Sequence, residues 1–96
     1  MKSITEEEFK QLVSDTIVVQ FSAGWCGPCK VLTKTIEQNE DKFNAPFYKI
    51  NIDEAQSLAQ ALGIRSVPTL IRFENKQETK RLVGVKPIEQ IIEISI

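Results

Sequence analysis

The chain contains no histidine. Cysteine–histidine catalysis and histidine-ligated metal sites are therefore excluded. Cysteine is nearly absent too, with only Cys26 and Cys29 among 96 residues. Two cysteines this close together cannot brace a long loop, so the fold does not depend on a disulfide framework. A zinc half-site needs four ligands, and the chain offers neither a second C-x-x-C nor a histidine to complete one. Net charge is −1, which leaves no electrostatic case for nucleic acid or an anionic membrane. No apolar run could span a bilayer, and the opening Met1-Lys2-Ser3-Ile4-Thr5-Glu6-Glu7-Glu8 lacks an apolar signal core. Together these absences predict a reducing, cytoplasmic compartment and no membrane partner. Nothing resembling a linker, repeat or low-complexity tract divides the chain, so a single domain over 1–96 is expected.

What is present is concentrated in Trp25-Cys26-Gly27-Pro28-Cys29-Lys30. Pro28 fixes its own φ near the helical value and has no N–H to satisfy, so it favours a helix beginning just after Cys26. Cys26 then lies at the exposed start of that helix, where unpaired N–H groups and the macrodipole stabilise a thiolate. Cys29 follows one turn later, within reach of a small disulfide ring. Gly27 leaves room for another polypeptide to approach, and Trp25 sets a flat apolar surface beside the sulfurs. Two buried structural thiols would not call for Pro28 between them. The pattern predicts reversible dithiol chemistry, with Cys26 as nucleophile and Cys29 as resolving thiol.

Around this segment the periodicity alternates between two types. Thr5 and Glu8 form a capping box ahead of Phe9, Leu12 and Val13 at helical spacing. Thr16 to Phe21 reads as a buried central strand. A helix carrying Leu32, Ile36 and Phe43 is expected from the cysteines to about Lys42. Phe47 to Ile52 reads as a strand, and Asp53 to Leu62 as a helix closed by Gly63. Thr69–Phe73 and Thr79–Val83 read as hairpin strands joined across Glu74 to Glu78. Pro87 opens a final helix with Ile88, Ile91 and Ile92. This order predicts an α/β fold, a mixed sheet with helices on both faces.

Three separated segments make the chain resemble the thioredoxins: Trp25 to Lys30, Lys49-Ile50-Asn51-Ile52-Asp53, and Gly63 to Leu70 with Val83-Gly84 further on. A lone C-x-x-C is weak, but these segments in this order and spacing are a strong signal. The resemblance implies a protein-disulfide reductase of the electron-carrier type. It also implies disulfide-containing proteins as substrates, a thioredoxin reductase as donor, a monomer, and no cofactor beyond the Cys26–Cys29 couple. A cis bond is implied at Val67–Pro68, facing the cysteines. Trp25, Gly27, Pro28, Ser66, Val67, Pro68 and Gly84 are implied as a shallow substrate rim. An oxidase or isomerase of the protein disulfide isomerase type is disfavoured by Pro28, where those relatives usually place histidine. A docking module in which redox turnover is incidental remains open.

Where the sequence departs from the family, expectations change. Lys49 is implied to sit behind the cysteines and to aid proton transfer, paired in the family with a buried aspartate. The matching position here is Gln20, which cannot titrate, so slower resolution near neutral pH is expected. Lys34 stands where a mid-helix proline is usual, so a less kinked helix is expected. Asn75-Lys76 in place of Asn-Gly suggests a different hairpin turn.

Overall fold

The computed structural model describes residues 1–96. Its centre is a five-stranded mixed sheet in the order β1 (Lys2–Ser3), β3 (Phe47–Asn51), β2 (Ile17–Ser22), β4 (Thr69–Glu74), β5 (Gln77–Val83). β1, β3 and β2 run parallel, whereas β4 is antiparallel to β2 and to β5. All six residues of β2 are buried. That follows from its place between β3 and β4 and from helices covering both faces.

Alternation along β2 divides the core in two. Ile17, Val19 and Phe21 face α1 (Glu6–Leu12) and α3 (Gln56–Ala61), packing with Phe9, Ile50 and Ile71. Val18 faces the other way, toward Leu32 and Ile36 of α2 (Gly27–Glu37) and Ile91 and Ile94 of α4 (Ile88–Ile94). Gln20 shares the α2 face with Val18, and is wholly buried there. Arg72, buried on β4, donates to the Ile94 carbonyl at 3.1 Å and so satisfies the C-terminal end of α4.

The capping box at Thr5 and Glu8 forms in both directions, at 3.1 and 3.0 Å. Gly63 ends α3 with φ +67°, and the flanking bonds Ile64 N–H to Ala59 and Gly63 N–H to Gln60 make a Schellman closure. α2 runs without a break through Lys34.

Three expected boundaries move. α2 stops at Glu37, because Asn39 leaves helical geometry (φ −132°), and a separate 3-10 turn occupies Glu40–Lys42. The segment after β3 is a 3-10 turn over Ile52–Glu54 started by the Asn51 side chain, and α3 begins only at Gln56. The hairpin is tighter than expected: β4 and β5 extend to Glu74 and Gln77, leaving a two-residue turn at Asn75-Lys76. Both turn residues have positive φ, 53° and 70°, the signs of a type I′ turn. The expected departure from that turn is therefore corrected. The right-handed twist of the strands selects it even with lysine at the second position. Lys76 N–H also donates to the Val13 carbonyl at 2.8 Å, fixing the turn against the end of α1. A β-carbon is disfavoured at such φ, so Lys76→Gly is expected to stabilise the domain by about 0.5–1 kcal/mol. A denaturant midpoint unchanged or lowered would refute this.

Candidate active site

The site lies at the carboxyl end of β2, where the parallel strands deliver their loops. Ala23, Gly24 and Trp25 lead out of the strand, and Cys26 becomes the N-cap of α2 with extended backbone angles (φ −93°, ψ 107°). Pro28 occupies the first turn, as expected from its fixed φ and missing donor. Cys26 and Cys29 are joined in a disulfide, their α-carbons 5.3 Å apart. The Cys29 N–H points at Cys26 Sγ, 3.1 Å away. A helix-end donor is thus already aimed at the sulfur that carries charge when the bond is reduced.

Cys26 is not the exposed residue that its place at a helix start suggests. It is 4% exposed and Cys29 1%. The two pack with Ala23, Ile52 and Val67. Exposure passes to the neighbours instead: Trp25 is 72% exposed, and Gly27 and Pro28 are also open to solvent. Trp25 is held by a bond from its Nε1 to Asp53 Oδ2 at 3.2 Å. Asp53 closes the Lys49–Asp53 segment but was given no role from the sequence, and no local signal links it to Trp25, 28 residues away.

The second half of the site comes from the loop before β4. Because β4 runs antiparallel to β2, its first residue, Thr69, pairs with Phe21 at the end of β2. This brings Val67 against the cysteines, with Ser66 and Pro68 flanking it in the chain. The Val67–Pro68 bond is cis. The Val67 carbonyl oxygen lies 3.7 Å from Cys26 Sγ. Thr69 Oγ1 donates to the Ser66 carbonyl at 2.8 Å, bracing the loop from below. Gly84, with φ +91°, donates its N–H to the Pro68 carbonyl at 2.8 Å, so the end of β5 is tied to the same loop.

Behind the disulfide, Gln20 has both ends of its amide occupied. Its Nε2 donates to the Cys29 carbonyl at 3.1 Å, and its Oε1 accepts from Thr33 Oγ1 at 3.2 Å. Lys49 is the β3 partner of Gln20, half-buried, and lines an open cleft of about 440 Å³ with Ser22, Thr33, Lys30 and Asn51. Thr33 is a residue the sequence reading missed. Its spacing of four from Cys29 was the available signal, since that places both on one helix face. The shifted ionisations are remote from the cysteines. Glu78, for example, is held below the usual carboxylate range by its bonds to Arg81.

The Gln20 geometry leads to a stability prediction. Gln20→Asp shortens the side chain, and its ionised form has no proton to give the Cys29 carbonyl. Burial raises the pKa of the new carboxyl, an effect tempered by Lys49 across the strand pair. Its neutral form is favoured below the unfolded value, about 3.9, and the penalty grows as pH rises through the folded value. The variant is expected to lose about 1–3 kcal/mol at neutral pH and to recover part of it in acid. Parallel melting curves with a pH-independent gap would refute this.

Comparison with known proteins gives one consistent result. The family model described as Thioredoxin matches residues 1–95. A thioredoxin from Mycoplasma genitalium is 40% identical over 79 residues, covering 81% of this chain and 78% of the relative. One from Chlamydia caviae is 35% identical over 96 residues, covering 98% and 94%. Among solved structures, the thioredoxin of Malassezia sympodialis superposes with a TM-score of 0.86 at 34% identity, covering 98% of this chain and 87% of that one. Sequence, sheet order and the disulfide at the helix start all lead to the same conclusion: this chain belongs to the thioredoxin family.

Proposed function

We propose that this thiol–disulfide oxidoreductase reduces disulfides in other proteins, with Cys26 attacking and Cys29 resolving. The observation that carries the reading is the Cys26–Cys29 disulfide at the N-terminus of α2, with the Cys29 N–H directed at Cys26 Sγ. In the reduced form the Cys26 thiolate attacks one sulfur of a substrate disulfide. The other substrate sulfur leaves as a thiolate, and a mixed disulfide forms on Cys26. Cys29, deprotonated, then attacks Cys26 Sγ, the mixed disulfide breaks, and the second substrate thiolate departs. Two electrons pass to the substrate, and the Cys26–Cys29 bond returns.

The rim assigned to substrate binding is Trp25, Gly27, Pro28, Ser66, Val67, Pro68 and Gly84. The exposed Trp25 ring and Gly27, and the Val67 backbone beside Cys26, support docking of an extended peptide. Lys49 is proposed as a proton-transfer aid from its pairing with Gln20, which bonds the Cys29 carbonyl. The cycle requires no cofactor, because the disulfide is itself the electron store. A thioredoxin reductase is the proposed donor, acting on a monomer in the cytoplasm. No helix is long and apolar enough to cross a membrane. The test is insulin reduction with dithiothreitol, repeated with thioredoxin reductase and NADPH. Acceleration in both assays is expected. No acceleration over dithiothreitol alone would overturn the assignment.

A further inference from the structure

Gln20 is wholly buried in the central strand, yet it is polar, and both of its hydrogen bonds go to the first two turns of α2. A carbonyl can only accept, so the amide nitrogen must face Cys29 and the amide oxygen must face Thr33. The side chain thus has one satisfied orientation. It joins the strand to the backbone of the residue whose sulfur closes the ring. Val18, two residues earlier on the same face, packs there as an aliphatic.

We propose that Gln20, locked by Thr33, is a positioning residue that holds the Cys29 backbone at closing distance and so raises the effective concentration of its thiol toward Cys26. The inference rests on the assignment of Cys29 as resolving thiol. In the closing step Cys29 Sγ attacks Cys26 Sγ, a bond forms between them, and the substrate thiolate leaves while the Cys29 proton passes to solvent. Gln20 touches none of the reacting atoms. It acts by removing backbone freedom that the open states would otherwise have to lose on closure. The anchor is rigid, because β2 is paired on both sides and buried along its length. Since Gln20 carries no charge, its contribution is to ring closure and not to thiol acidity.

The experiment is equilibration of the Cys26–Cys29 couple with reduced and oxidised glutathione, in wild type, Gln20→Met and Thr33→Val. Methionine nearly preserves the volume of glutamine while deleting both hydrogen bonds. Valine removes only the hydroxyl that locks the amide, and serves if Gln20→Met folds poorly. Gln20→Met is expected to lower the equilibrium constant for ring closure about three- to tenfold, the range of one lost hydrogen bond. Thr33→Val should move it the same way by less. Thiolate ultraviolet absorbance should titrate at the same pH in all three. Ring closure unchanged within about twofold, whatever the melting temperature does, makes Gln20 merely structural and overturns the proposal. So does a changed thiolate titration, which would mean action through acidity. Failure of wild type itself to form the ring would instead overturn the underlying assignment of the two cysteines.

Discussion

Cys29→Ser is expected to leave the first attack intact and to accumulate substrates covalently on Cys26, while Cys26→Ser abolishes both attack and turnover. The asymmetry follows from the site. Cys26 Sγ receives the Cys29 N–H and lies against the Val67 carbonyl at the rim, whereas Cys29 is the deeper of the two at 1% exposure. A serine hydroxyl cannot replace the thiolate, because its pKa lies far above neutrality and no base adjoins it. In Cys29→Ser the mixed disulfide has no internal thiol to break it and persists until an external one arrives. Mass spectrometry of protein exposed to a disulfide substrate decides the matter. Stable adducts on Cys29 in the Cys26 variant, with none on Cys26 in the other, would reverse the roles.

Phe21→Ala is expected to be the most damaging single truncation of the core. Phe21 is fully buried in the middle of the sheet, among Ile50, Ile71 and Ala55. Close packing and pairing on both sides limit collapse around the void. Such truncations cost about 3–5 kcal/mol. Against a total stability of about 5–15 kcal/mol, that brings the domain near its unfolding threshold. Each 1 kcal/mol lowers the melting temperature of a domain this size by about 4–8 °C, so a fall of roughly 12 °C or more is expected. Phe21 also pairs with Thr69, which braces the Val67 loop, so substrate affinity should fall along with stability. A drop of less than about 1 kcal/mol in chemical denaturation would show that the site relaxes, contrary to this account.

Much of this was legible because local chemistry and global fold agreed. The Thr5–Glu8 capping box, the buried central strand β2, Pro28 in the first turn of α2 and Gly63 at the close of α3 each appear as read. The two helix boundaries that moved share a cause. Glu40–Lys42 and Ile52–Glu54 are 3-10 turns, whose residues pass for helix in a pattern built on spacing alone. The Asn75-Lys76 turn was decided by the twist of the strands it joins and by a bond to Val13, neither of which is visible locally. The burial of Cys26 depends on Val67, a contact across 41 residues. The bond from Thr33 to Gln20 was half legible: helix spacing put Thr33 behind Cys29, but only the folded sheet brings Gln20 beneath both.

The antiparallel pairing of β2 with β4 has a consequence for the chain as it is being made. Synthesis runs from the N-terminus, so both cysteines are joined to the chain before the segment bearing Val67 and Pro68 exists. A nascent chain ending at residue 60 holds Cys26 and Cys29 but no carbonyl at the rim and no strand to seat it. The Val67 carbonyl comes to stand against Cys26 only when β4 pairs with β2 and the two loops meet. The chain thus receives its redox pair early in synthesis and the loop that faces it late, with the strand that completes the centre of its sheet.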